Sequence, residues 1–232
     1  MASAQYKKLF ILRFVAYLSI LTGILVLAFE LGPVASAEFN YRMDRAFGVS
    51  HTLPPQVITS SGQNTAESDQ AQSGFGSVSK NESIITPVST DYGIVIEKIN
   101  ANAKVIPDVD PGNEREYQTA LAQGVAATIG STIPGESGNL YIFSHSVDAP
   151  WNVIRFNAVF YLLRELEVGD RIILFYQGKR FDYIVFDKTI ASPSDVSFLS
   201  NRYDKPVLTL QTCDPPGTLL NRLIVRAKLQ SS

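Results

Sequence analysis

The sequence predicts a mostly β domain, a largely antiparallel barrel or sandwich, standing behind one apolar N-terminal helix. Three observations carry that expectation. Short apolar runs of strand length recur from Tyr92 to Leu229, separated by Gly-, Pro- and Asp-containing turns. No βαβ rhythm and no Gly-rich nucleotide loop accompanies them, which argues against a parallel doubly wound sheet. The densest apolar run lies apart from all of this, at residues 9–29 (LFILRFVAYLSILTGILVLAF).

That run is broken only by Arg13, Ser19 and Thr22, with Lys7 and Lys8 before it and Glu30 after it. As a helix it measures about 30 Å, enough to cross a hydrocarbon layer with Arg13 snorkelling at one end. The positive-inside bias then puts the N-terminus in the cytoplasm and everything beyond Glu30 outside. A cleaved signal peptide competes with an uncleaved anchor, because Ala35-Ser36-Ala37 has cleavage-site spacing. The run outlasts the usual 7–15 apolar residues of a signal, which favours the anchor. A buried core helix is the third reading. Both leading readings export the rest of the chain.

Residues 31–50 form a juxtamembrane stretch of weak character, and 51–81 are rich in Ser, Gln, Gly and Thr. Such a composition buries too little surface to offset ordering entropy, so it reads as a flexible tether. His51 at its start reads as solvated and idle, and Asn81-Glu82-Ser83 matches a glycosylation triplet. The folded region begins near Pro87. Tyr92–Ile99 and Lys104–Ile106 read as strands, and Glu114–Gln123 as a short helix capped by Asn113. Asn139–Phe143 is a strand ending at Ser144-His145. Trp151–Glu167 is ambiguous and partly helical. Arg171–Tyr176 and Arg180–Phe186 form a hairpin around Gln177-Gly178. Pro206–Cys213 and Arg222–Leu229 are the last strands, joined by DPPGTLLN.

Composition narrows the function. At 18% charged residues and a net charge of −2, the chain lacks the basic excess of a nucleic-acid surface. With one cysteine, and one histidine in the folded region, no ligand spacing for zinc exists, so no metal or cofactor is expected. Asp108 and Asp110 read as a solvated loop pair, with a weak calcium contact as the alternative.

The lone Cys213 is either a small buried hydrophobe, half of an intermolecular disulfide, or a reactive thiol. Its neighbours decide between these. An antiparallel return from the strand 206–213 to the strand 222–229 brings Arg222 beside Cys213. A guanidinium there lowers a thiol's pKa and offers rigid donors to an oxyanion. On its own Arg222 is an ordinary strand arginine, and His145 an ordinary hydrogen-bonded histidine. Together, a thiolate, an imidazolium and a guanidinium suffice for acyl transfer through a thioester.

The stretch TLQTC at Thr209–Cys213, followed by Arg222 in RLIVRAKL, resembles the signature of sortases, the cysteine transpeptidases of bacterial cell surfaces. Residues 124–146 (GVAATIGSTIPGESGNLYIFSHS) resemble the family stretch that ends in the catalytic histidine, here His145. Tyr92–Ile99 and Leu166–Tyr176 resemble its opening strands and its mid-domain Gly-Asp turn, so the likeness covers 90–230. The resemblance implies a closed eight-stranded sortase-like β-barrel with short helices, preceded by a transmembrane helix and flexible linker. It divides the chain into an anchor at 1–30, a linker at 31–86 and a catalytic domain at 87–232. It makes Cys213 the nucleophile, His145 the general acid/base, Arg222 the substrate-positioning and oxyanion group, and Thr212 part of the oxyanion region through its N–H or hydroxyl. The implied substrate is the sorting signal of a surface protein, Leu-Pro-x-Thr-Gly-like and cut between Thr and Gly. The implied acceptor is an amine of a peptidoglycan precursor or pilin, at the bacterial membrane.

Three departures from the family pattern bear on the pocket. Ser144 precedes His145 where many members have Gly, Ala127 stands where many carry an extra histidine, and Asp214 adds a negative charge beside the thiol. Two rival outcomes share the same residues: a hydrolytic peptidase, and an inactive surface-assembly domain that only binds. An L,D-transpeptidase also uses Cys, His and Arg, but its sequence pattern around the cysteine differs.

Overall fold

The computed structural model describes residues 2–53, 82–145 and 159–230. The tether beyond Leu53, the glycosylation triplet's Asn81 and the first half of Trp151–Glu167 lie outside the described residues.

Helix α1 spans Ala2–Phe47, 46 residues or about 69 Å. Its segment Leu9–Val26 is long and apolar enough to cross a membrane, and none of it is buried against the rest of the chain. The helix does not stop at Glu30, as its sequence suggests. It continues through Gly32-Pro33 to Phe47 and meets the folded region there. Glu38 pairs with Arg164 at 3.0 Å, the Tyr41 hydroxyl donates to Glu165 Oε2 at 3.4 Å, and Tyr41 packs against the main core.

Two short strands follow, β1 (Ser50–Thr52) and β2 (Glu82–Ile84), paired in parallel. They set Leu53 and Ile85 into a small cluster with Val95, Ile173 and Phe175. His51 is not idle in solvent: its side chain is 12% exposed, with Nε2 3.0 Å from Asp44 Oδ2 on α1.

The barrel is built from β3 (Tyr92–Ile96), β4 (Ala101–Val109), β5 (Val125–Thr128), β6 (Gly138–Phe143), β7 (Arg171–Tyr176), β8 (Lys179–Ala191), β9 (Pro206–Asp214) and β10 (Asn221–Leu229). It closes in the order β10-β8-β7-β3-β4-β5-β6-β9. The expected eight-stranded closed barrel is therefore what the chain forms. Its pairing is mixed, because β4–β5 and β6–β9 are parallel. Helix α2 (Glu114–Leu121) provides the first of these crossovers. The path from β6 through β7 and β8 provides the second. Neither is a hairpin, so neither shows in local turn chemistry, and β5 itself is only four residues long.

Inside lie Ile94, Ile96, Leu140, Ile142, Leu174, Leu208, Leu210, Leu223 and Val225, contributed by alternating positions of facing strands. A second cluster lies outside the wall, where Ala120, Leu121 and Tyr117 of α2 cover Ala126, Tyr141 and Phe143. The short helix α3 (Ser197–Ser200) adds Phe198 to it. A 3-10 turn at Tyr161–Glu165 carries Leu162 and Leu163 into the interior.

The registers place the ends of β3, β6, β8 and β9 and the starts of β4, β5, β7 and β10 at one end of the barrel. That end carries Cys213, Arg222 and His145.

Candidate active site

Strands β9 and β10 pair so that Arg222 lies directly opposite Cys213. The turn between them passes through Gly217 at φ +77, a left-handed conformation that favours glycine. Alternation along β9 puts Leu208, Leu210 and Thr212 on the inner face, and Gln211 and Cys213 on the outer face. Arg222 Nη1 points at Cys213 Sγ from 3.7 Å and also donates to the Asn221 carbonyl at 3.1 Å. The second bond anchors the guanidinium while its fork remains beside the sulfur.

His145 comes from the segment just past the neighbouring strand β6. β6 runs parallel to β9 with Phe143 across from Gln211, and the Ser144 N–H donates to the Gln211 carbonyl at 3.1 Å. His145 follows two residues beyond the end of β6, at the barrel end where β9 carries Cys213. By the same alternation His145 shares the outer face with Tyr141 and Phe143. Its Nε2 lies 3.4 Å from Gln118 Oε1 on α2.

Two outer-face side chains floor this strip. The Tyr141 hydroxyl and Gln211 Oε1 make a short hydrogen bond across β6 and β9. Burial pushes the Tyr141 phenol well above its ordinary range, against the pull of Arg222, so it stays protonated and donates. Thr212 is 3% exposed, and its hydroxyl lies on the inner face with no hydrogen-bond partner among the described residues. Ser144, just past the end of β6, is buried with its hydroxyl in the same condition.

The sulfur's electrostatics differ in balance from the sequence expectation. Burial pushes the Cys213 thiol up, and Arg222 pulls it down without overcoming burial. The guanidinium has the sign expected of it, while desolvation is the larger effect. The thiol is only partly exposed. Among the described residues no group of three or more His, Cys, Asp or Glu converges as a metal site would require. Asp110 is engaged locally, its Oδ1 accepting from the Gly112 N–H at 2.8 Å.

Three residues escaped the sequence reading: Gln118, Tyr141 and Gln211. The last two sit at even spacings from His145 and Cys213, so period-two alternation could have found them. Gln118 is 27 positions from His145 on a different element, and no local pattern joins the two.

Comparison with known proteins agrees with this architecture. The sortase domain model matches residues 94–230, more than half of the chain. Sortase D of Bacillus subtilis (strain 168) is 26% identical over 154 residues, covering 64% of this chain and 69% of that protein. Among solved structures, a lid mutant of sortase A from Corynebacterium diphtheriae is 27% identical with a TM-score of 0.51, covering 62% of this chain and 72% of the other. The Clostridium perfringens sortase D5 transpeptidase is 27% identical with a TM-score of 0.50, covering 63% of this chain and 82% of the other. A closed barrel with a lone cysteine on one strand, an arginine opposite it on the next and a matching family model place this chain in the sortase family of bacterial cell-surface cysteine transpeptidases.

Proposed function

We propose that the protein cuts a surface protein's C-terminal sorting signal, Leu-Pro-x-Thr-Gly-like, between Thr and Gly, and passes the acyl group to an amine of a peptidoglycan precursor or pilin. Cys213 is the nucleophile, His145 the general acid/base, Arg222 the oxyanion and positioning group, and Thr212 a contributor to the oxyanion region. The observation that carries this reading is Arg222 Nη1 standing 3.7 Å from Cys213 Sγ across two paired strands.

The thiol, deprotonated with His145 holding the proton, attacks the Thr carbonyl carbon, and negative charge collects on that carbonyl oxygen. The Arg222 fork meets the charge as it develops. Collapse breaks the C–N bond, and the imidazolium gives its proton to the departing Gly amine. Sulfur then holds the acyl group as a thioester. In the second half an incoming amine attacks that carbon, His145 takes its proton, and the thiolate leaves. No metal or cofactor enters either half.

The span Leu9–Val26 anchors the chain in the bacterial membrane with its N-terminus cytoplasmic and the barrel outside. In this division residues 1–30 form the anchor, 31–86 the connecting segment and 87–232 the catalytic domain. Mass analysis of the products of a sorting-signal peptide, with and without added amine, tests the reaction. Amine-containing acyl product is expected. Free acid alone at saturating amine would make the enzyme a hydrolase instead, and uncut peptide in both arms would leave only a binding domain.

A further inference from the structure

We propose that Gln118 is the positioning residue of the general acid/base: it holds the His145 ring through Nε2 and keeps hydrogen on that nitrogen in the neutral ring. This rests on the reading of His145 as that acid/base.

The placement begins with how α2 is held. Asn113 caps it, its side chain accepting from the Glu116 N–H at 3.3 Å and donating to Glu116 Oε2 at 3.2 Å. Glu116 Oε1 in turn accepts from the Asp110 N–H at 3.0 Å, tying the helix start to the end of β4. Ala120 and Leu121 bury the opposite end against the barrel wall. Tyr117 meets Phe143 edge-to-face, ring centroids 6.4 Å apart and planes at 76°. Phe143 is two residues before His145 on the same outer face, and Gln118 follows Tyr117. A contact that sets the height of α2 on β6 therefore also delivers Gln118 to the imidazole, Oε1 to Nε2 at 3.4 Å.

An amide oxygen only accepts, so Nε2 must carry hydrogen in this contact. That ties the ring to a helix rather than to the strand end alone. Gln118 touches neither the sulfur nor the substrate in this scheme, so its effect acts on the chemical step and not on peptide binding.

The test uses full-length protein in detergent with parent, Gln118→Ala, Gln118→Glu and His145→Ala. Its probe is a Leu-Pro-x-Thr-Gly peptide, and histidine 15N spectra supplement the kinetics. The expected result is kcat down about tenfold in Gln118→Ala with KM unchanged, and largely restored in Gln118→Glu, which keeps an acceptor oxygen. In the neutral ring of the parent the His145 15N signals show hydrogen at Nε2, and in Gln118→Ala that preference is lost. Parental kcat together with an unchanged tautomer signal in Gln118→Ala overturns the proposal. If Gln118→Ala lowers Tm, Gln118→Glu decides: a variant that keeps its Tm but loses the Nε2–H signal and activity to the same depth counts against it. Parental kcat in His145→Ala instead overturns the acid/base reading itself. An inactive His145→Ala beside an indifferent Gln118→Ala sinks this inference alone.

Discussion

At Cys213 two influences oppose each other, burial holding the sulfur neutral and Arg222 favouring its anion. Because burial is the larger, the thiol is mostly protonated at neutral pH, and its alkylation by iodoacetamide should keep rising as pH passes the ordinary thiol range. Replacing Arg222 by Ala removes the lowering influence, so alkylation at pH 7 should slow several-fold and the rise should move to still higher pH. An alkylation rate flat from pH 6 to 9 would contradict that balance. The oxyanion role proposed for Arg222 is separable from charge. Arg222→Lys keeps the positive charge but loses the planar fork, and kcat should fall about 10²-fold. Parental kcat in that variant would remove Arg222 from the oxyanion role.

The parallel pairing of β6 with β9 aligns Phe143 with Gln211 and brings the two strand ends together, with Cys213 on β9 and His145 just beyond β6. Ile142 anchors β6 in the interior and is fully buried. Ile142→Ala should cost about 2–5 kcal/mol by denaturant titration, whereas a cost under 1 kcal/mol would mean the strand is not locked there. For α2, Asn113→Ala should cost about 1 kcal/mol through loss of the cap, read as a lower unfolding midpoint. The hairpins were legible from local pattern: β7 with β8 through Gln177-Gly178, and β9 with β10 through the Pro-Pro-Gly turn, which alone predicted that Arg222 faces Cys213. The α2 cap was legible too, since Asn113 precedes the first helical turn and Glu116 follows it by three. The parallel neighbours β4–β5 and β6–β9 were not, because their registers depend on crossovers whose length says nothing of alignment. The burial of Cys213 was equally hidden, since desolvation depends on elements distant in sequence.

The helix that carries the apolar span and the barrel end that carries Cys213 meet in one molecule. Residues 38–47 of α1 join the 3-10 turn at Tyr161–Glu165 through Glu38, Tyr41 and Arg164, and His51 reaches back to Asp44. Sequence alone read this stretch as weak, since the partners of Glu38 and Tyr41 lie more than a hundred residues away. Half-exposed ion pairs of this kind are each worth at most about 1 kcal/mol, so the packing of Tyr41 on the core must hold the helix in place. Amide hydrogen exchange on the full-length protein in micelles should therefore show 39–47 protected, and Tyr41→Ala should release that protection while the barrel amides keep theirs. Free exchange of 39–47 in the parent would show the helix undocked. In the proposed function a peptide carbonyl is brought to one sulfur, and mass spectrometry of full-length protein incubated with a panel of sorting-signal peptides reads that event directly. Added mass equal to the acyl fragment should appear on the peptide containing Cys213 and disappear on adding an amine. No adduct with any signal in the panel, or the same adduct in Cys213→Ala, would contradict it.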